Sequence, residues 1–380
     1  MNVLIAGDFC QKNRINKIVK ERNYSILFDE IKDVVQQADY SIVNFEFPIV
    51  TDTSIQRSIT KCGPNLSGTS EAIEAVKYAG FKCCTLANNH ILDQGEQCCI
   101  DTREELLKSG IDVVGVGFNI KEAEKILYKT IKGNKIGIIN CCEHEFSIAT
   151  ADSAGAAPQN PIKQYYQIKE ARTKCDFIII ITHGGHEHFQ LPSLRMQETY
   201  RFFIDVGADV VVNHHQHCFS GYEVYSGKPI FYGLGNLCFD YPERVNTPWN
   251  EGYMVELTFE VDKDIKYKLV PYLQCNKEPG IKLMQDERNF KNKISELNEI
   301  ISSPTKLENE LNSYYLTQKE RALDVYQPYF GNRMLYWLYR HHFLPEIISK
   351  KQLLKIYNIL ECESHRDKYI AIFKDKFNIK

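Results

Sequence analysis

From residue 1 to about 275, short apolar runs alternate with stretches whose apolar positions recur every three to four residues. The runs at 3–6, 40–43, 83–86, 113–116, 136–139, 177–181 and 210–212 are apolar at nearly every position, as strands covered on both faces should be. Between them, 70–79, 95–109 and 192–206 carry a helical period, and Gly80, Gly110 and Gly207 stand where a left-handed C-terminal cap belongs. This alternation predicts an α/β fold. After residue 220 the runs at 229–239, 253–261 and 265–273 lie close together, which predicts antiparallel pairing within the same domain.

Beyond 275 the strand pattern stops. Phe290, Ile294, Leu297 and Ile301 recur at spacings of four, three and four, the mark of an amphipathic helix. Leu307, Leu311 and Tyr314 continue the pattern after Pro304, and Leu353, Ile356, Ile359 and Leu360 define a later helix. The expected organisation is an α/β domain over 1–275 and a C-terminal helical region over 276–380.

Composition narrows the field. The 380 residues carry 46 Lys or Arg against 49 Asp or Glu, with 43% hydrophobic residues, ordinary values for a packed globular chain. Without a long basic run there is no footprint for nucleic acid, so the expected partner is a small-molecule or polymer substrate. Residues 333–380 hold ten Lys or Arg against five Asp or Glu, which admits a protein partner on the C-terminal helices. The 13 cysteines show no repeated C-x-x-C spacing, and the first residues lack a basic stretch before their short apolar run. A cytoplasmic protein with buried free thiols and no membrane span is expected.

Seven of the 11 histidines, at 90, 183, 186, 188, 214, 215 and 217, follow predicted strands directly. In open α/β sheets the carboxyl ends of strands form the ligand crevice, so these groups converge on one site. Strand ends also offer Asp8, Asn44, Glu46, Asn88, Asn89, Asp93, Glu187 and Asn236. A mixed set of carboxylates, amide oxygens and imidazoles suits Mn²⁺, Fe²⁺ or Zn²⁺ rather than a Cys-rich structural site. A carboxylate bridging two such ions would position water for attack on phosphorus, and Glu46 is the candidate bridge. Asp93 and Glu187 are candidates for orienting ligand imidazoles. Asn44 and Asn236 are candidates for donating to an anionic substrate or holding turns. His186 and His188 fall where they would line the cleft.

Read in order, Ala6-Gly7-Asp8, Asn44-Phe45-Glu46-Phe47-Pro48, Ala87-Asn88-Asn89-His90-Ile91-Leu92-Asp93-Gln94-Gly95, His183-Gly184-Gly185-His186-Glu187, His214-His215-Gln216-His217 and Tyr232-Gly233-Leu234-Gly235-Asn236 resemble the motifs of the CapA family. These capsule and poly-γ-glutamate synthesis proteins are similar to calcineurin-like metallophosphoesterases. The resemblance implies a four-layer α/β/β/α sandwich and two bound divalent ions. It implies metal ligation by Asp8, Glu46, Asn89, His183, His215 and His217, and a catalytic His90 that protonates or orients the scissile group. His214 falls in the same closing motif, beside the ligands.

The sequence departs from the family in four places. Cys10 stands where the superfamily places a ligand histidine, Gly184 where the family has Trp, and Asn213 and Gln216 where it has Gly and Pro. The function implied is a metal-dependent hydrolase, a phosphoesterase, in capsule or cell-surface polymer synthesis. Two alternatives stay open: an accessory subunit of a synthesis or export assembly, and an amide or γ-glutamyl hydrolase.

Overall fold

A computed structural model describes residues 1–54, 57–361, 365, 369–370, 372–373 and 376–377. The chain opens with β1 (Asn2–Cys10), α1 (Arg14–Lys20), α2 (Ser25–Gln37), β2 (Tyr40–Phe45), α3 (Glu71–Ala79), β3 (Cys83–Thr85), α4 (Glu96–Lys108) and β4 (Asp112–Val114). Next come β5 (Val116–Gly117), α5 (Ile120–Ala123), β6 (Leu127–Ile131), β7 (Asn134–Cys142), β8 (Gly155–Ala156), α6 (Pro161–Arg172), β9 (Phe177–His183), α7 (Leu194–Val206), β10 (Val210–His214), β11 (Tyr222–Tyr225) and β12 (Lys228–Phe231). Then follow β13 (Asn236–Phe239), β14 (Glu251–Thr258), β15 (Lys266–Gln274), β16 (Ile281–Leu283), α8 (Arg288–Ser302), α9 (Pro304–Asp324), α10 (Arg333–Arg340) and α11 (Lys350–Glu361).

The larger sheet has the order β16-β15-β14-β1-β2-β3-β4, with β13 also pairing β1; the second has the order β11-β12-β10-β9-β7-β6. In each, a parallel core carries an antiparallel margin: β1 to β4 run parallel and β14 to β16 antiparallel, while β7, β9, β10 and β12 run parallel. The period of two along β1 and β2 explains the layering. Leu4, Ala6, Val43 and Phe45 join one apolar cluster with Ile15 and Val19 of α1, Phe28 and Ile31 of α2, and Ile73 of α3. Val3, Ile5 and Ile42 are equally buried but stand outside that cluster. The other sheet covers this face, with ring contacts of Phe177 to Phe259 at 4.9 Å and of Tyr267 to Tyr222 at 5.3 Å. Helices α6 and α7 pack on the outer face of the second sheet, against β7, β9, β10 and β12. The result is the expected α/β/β/α order.

Several expectations need adjustment. The run at 229–239 is split at Gly233 to Gly235: β12 pairs in parallel with β10, and β13 crosses to the other sheet to pair in parallel with β1. Antiparallel pairing holds for β14 with β15. A strand, β16, lies beyond 275. Gly80, Gly110 and Gly207 do take positive φ. Helix α6 had no legible period because Ile162 and Tyr166 of its apolar residues face solvent.

The chain divides into two compact units, Met1–Leu307 and Glu308–Lys380. Helix α8 belongs to the first unit, although the expected helical region begins at 276. Its Phe290 packs on Phe219 at 5.2 Å and Tyr253 at 5.7 Å, and Asn298 Oδ1 accepts from the Tyr222 amide at 2.7 Å. In the second unit, Asn332 caps α10 by accepting from the Met334 and Leu335 amides, each at 3.0 Å, and Asp324 pairs with Arg340 at 3.0 Å. Part of the basic stretch 333–380 lies outside the described residues. Among the described residues no helix is long and apolar enough to cross a membrane.

Candidate metal centre

The carboxyl ends of β1, β2, β3, β9 and β10 meet between the sheets, and the backbone there is shaped to aim side chains inward. At Gly7 a β-carbon would fall 1.9 Å from the Gly235 carbonyl oxygen, so only glycine admits this approach of β1 to the turn before β13. Beside it, the pairing of β1 shifts register at Asp8 against both β2 and β13, a bulge of the kind that re-aims a side chain. After β10, His215 and His217 hold φ of 91° and 55°. Left-handed backbone in such residues costs about 1–3 kcal/mol and concentrates at functional sites.

Two groups of three ligand atoms result: Asp8, Glu46 and His217, and Glu46, His183 and His215, the atoms of each lying within 4.8 Å of one another. Glu46 belongs to both. Its Oε1 is 3.6 Å from Nε2 of His183 and 3.6 Å from Nε2 of His217. Neither Glu46 oxygen has a hydrogen-bond partner, although the side chain is fully buried. Asn89 joins the second group, its Oδ1 3.0 Å from His183 Nε2, which is 3.1 Å from His215 Nδ1.

Neighbours hold these groups. Asn236 Oδ1 accepts from His217 Nδ1 at 2.9 Å, which turns Nε2 toward Glu46. Asn44 Nδ2 donates to Asp8 Oδ1 at 2.7 Å and lies 3.3 Å from His183 Nδ1. Buried His214 brings Nδ1 within 3.2 Å of Asp8 Oδ1 but off the line a hydrogen bond needs, so that contact is electrostatic. Burial opposes ionisation of Asp8, yet the imidazoles of His214, His183 and His217 hold its carboxyl well below the usual range. Burial and then the Asp8 charge push Glu46 well above its ordinary value. Burial also drives His183 far down and His217 down to about 4, so both rings are neutral and offer lone pairs.

An ionised Glu46 therefore lacks a counter-charge that the chain itself supplies, and a buried unpaired charge is costly. A divalent cation in each group would provide it, so the donor set fits two such ions.

His90 occupies a differently built corner. Its Nδ1 lies 2.6 Å from Asp93 Oδ2, which also accepts from the Leu66 amide at 2.6 Å. The other oxygen, Asp93 Oδ1, accepts from Lys61 Nζ, which stands 3.1 Å from His90 Nδ1. The short approach to a carboxylate puts a proton on Nδ1, leaving Nε2 to exchange protons. Burial holds this imidazole below its usual value, against the pull of Asp93.

The structure thus gathers Asp8, Asn44, Glu46, Asn89, His90, Asp93, His183, His214, His215, His217 and Asn236 into one buried site. It does not bring in Glu187 as an imidazole holder. The turn after His183 carries Glu187 to the rim, its side chain 50% exposed and 3.9 Å from His188 Nε2. Cys10 sits in the apolar cluster, where burial pushes its thiol far up, and it is a packing residue.

The other departures have physical accounts. A β-carbon at Gly184 would meet Glu143 Cγ at 2.5 Å, so the side chain of Glu143, paired with Arg195, fills the room next to this position. Asn213 ties the turn down, donating to the carbonyls of Gly184 at 2.9 Å and Tyr232 at 3.0 Å while accepting from Thr182 and Tyr200. Gln216 Nε2 donates to the Leu191 carbonyl at 3.1 Å.

Three residues at the site escaped sequence reasoning: Lys61, Glu143 and Glu145. Lys61 lies on a long irregular connection with no periodic signal. Glu145 follows β7, where the strand-end rule could have found it, and it accepts from Asn89 Nδ2 at 3.3 Å.

Two facing sheets between outer helices, with a buried oxygen and nitrogen donor cluster at their strand ends, define the class as a four-layer α/β/β/α sandwich. Within that class, the chain belongs to the bacterial capsule synthesis protein family PGA_cap, whose profile matches residues 2–241. The chain is 30% identical over 246 residues to the capsule biosynthesis protein CapA of Bacillus anthracis, covering 63% of this chain and 60% of that protein. It is 29% identical over 244 residues to the PGA biosynthesis protein CapA of Bacillus subtilis (strain 168), covering 63% of each. The match thus spans less than two thirds of either relative. The solved structure of the calcineurin-like phosphoesterase YfkN from Bacillus subtilis is similar at 14% identity and a TM-score of 0.38, covering 81% of this chain and 98% of that one.

Proposed function

We propose that this protein is a metal-dependent hydrolase, a phosphoesterase that acts on an anionic small-molecule or polymer substrate in capsule or cell-surface polymer biosynthesis. The observation that carries the reading is Glu46: fully buried, without a partner, and shared by two ligand groups. Asp8, Glu46 and His217 would hold one cation, and Glu46, Asn89, His183 and His215 the other. Bound Mn²⁺, Fe²⁺ or Zn²⁺ would lower the pKa of a water and offset charge developing on a phosphoryl group. Asn236 and Asn44 fix His217 and Asp8, and burial between the two facing sheets keeps bulk water from these side chains. His90, held through Nδ1, would exchange a proton with the leaving oxygen at Nε2.

Purified protein assayed with Mn²⁺ against phosphomonoesters and phosphodiesters tests this. Turnover is expected, lost on chelation and reduced about 10²–10⁴-fold by His90→Ala. No turnover with any of the three metals, or full activity in His90→Ala, contradicts it.

One observation favours the accessory role as a second reading. Met334 and Trp337 of α10, and Phe343 beyond it, are 71%, 53% and 69% exposed, an apolar surface suited to a protein partner. Under that reading the bound metal is structural or absent, and chelation leaves the protein's role in the assembly intact.

A further inference from the structure

We infer that Lys61 is a positioning residue for His90: its ammonium clamps Asp93, and Asp93 in turn fixes the orientation and tautomer of the His90 ring. The inference rests on the reading of His90 as the proton-handling residue of a hydrolase.

The connection at 57–66 is a strap pinned over Asp93 and Gln94. The Arg57 amide donates to the Gln94 carbonyl at 3.3 Å, and the Ile59 amide donates to the Asp93 carbonyl at 3.1 Å. Ser58 Oγ donates to Gln94 Oε1 at 2.8 Å, and Gln94 Nε2 donates to the Leu66 carbonyl at 2.9 Å. These bonds hold the strap without any contribution from Lys61. Yet the Lys61 side chain is only 3% exposed, and lysine is almost never buried unless paired. Its burial has a cost that strap closure does not explain.

What Lys61 touches explains it: Nζ donates to Asp93 Oδ1 and stands 3.1 Å from His90 Nδ1. The Asp93 carboxylate is divided between two tasks: Oδ1 takes Lys61 Nζ, and Oδ2 faces His90 Nδ1 at 2.6 Å with the Leu66 amide on the same oxygen. A carboxylate bonded at both ends cannot swing. With Oδ2 fixed, the His90 proton sits on Nδ1 and Nε2 stays free for the cleft. Without Lys61, Oδ1 is released, the carboxylate can rotate, and the ring loses its single orientation.

The full-length chain with ¹⁵N-labelled histidine provides the test. In metal-free wild type the His90 ring should show one tautomer, protonated at Nδ1. Lys61→Met should give a mixture of tautomers, and Lys61→Arg should restore the single form. With Mn²⁺, Lys61→Met should lower kcat on the order of 10–100-fold with KM unchanged. The loss should be steeper for phenyl phosphate than for p-nitrophenyl phosphate, because the poorer leaving group depends more on a placed proton. A folded Lys61→Met with the wild-type His90 pattern and kcat overturns the inference. So does a loss that appears equally in metal content and melting temperature and that Lys61→Arg does not rescue. If Lys61→Met fails to fold, Lys61→Gln is read by the same criteria. Absence of turnover in wild type sinks the hydrolase reading alone, because the histidine spectra still decide the role of Lys61.

Discussion

Two buried carboxylates a short distance along the same crevice are treated in opposite ways. Asp93 is saturated: Lys61 occupies one oxygen, and His90 and the Leu66 amide the other. Glu46 is as deeply buried, yet neither of its oxygens has a hydrogen-bond partner, and the groups around it are the imidazoles of His183, His215 and His217 and a second carboxylate, Asp8. Burial is equally costly to both charges. The difference lies in who brings the counter-charge: the chain supplies its own cation to Asp93, whereas under the proposed function Glu46 takes one from solution. A partnered carboxylate positions a neighbour, and an unpartnered one marks where an ion belongs.

The contrast makes removing each carboxylate act with opposite sign. Asp93→Asn leaves Lys61 buried without its partner, and the unfolding free energy should fall by about 3–5 kcal/mol. Denaturant titration reads this directly, and a change within error would mean that Lys61 and Asp93 are not a true pair. Glu46→Met removes an unsatisfied group instead. In chelated protein it should raise stability by about 1–3 kcal/mol, so a fall would show that Glu46 already has a partner.

Asn236→Ala frees His217 Nδ1 and should weaken Mn²⁺ binding about tenfold, near the low end for groups that orient a ligand. Calorimetry with an affinity equal to wild type would remove Asn236 from the account. The smallest effect belongs to the rim, where the Arg195 side chain is 62% exposed in its pair with Glu143. Arg195→Ala should cost about 0.2–1 kcal/mol and leave Mn²⁺ affinity unchanged.

The same contrast shows what was legible in the sequence. Candidate ligands at strand ends are readable because a parallel apolar strand announces where it stops, so Asp8, Glu46, His183 and His215 could be placed by position alone. Lys61 could not, because the strap at 57–66 is irregular and held by bonds to Asp93 and Gln94, 27 to 37 residues further along the chain. Glu187 misled for the converse reason: it follows a strand, but a turn after the end of β9 takes it to the surface. The sheet crossing between β12 and β13 was likewise invisible, because 229–239 reads as one apolar run while Gly233 and Gly235 divide it. Helix α8 carried a clear period, but the period says only that it packs; Phe219 and Tyr253 show that it packs on the α/β body.

The central claim is that Glu46 is shared by two cation positions, and Mn²⁺ binding tests it most directly. Elemental analysis and thermal unfolding should be run on wild type and Glu46→Met side by side. The account predicts two ions per wild-type chain, one for each ligand group. It also predicts stabilisation of about 2.7 kcal/mol when free Mn²⁺ exceeds its dissociation constant a hundredfold. In Glu46→Met both ions and the stabilisation should be lost together. A variant that keeps one ion at wild-type affinity, or a wild type that Mn²⁺ does not stabilise, would contradict it.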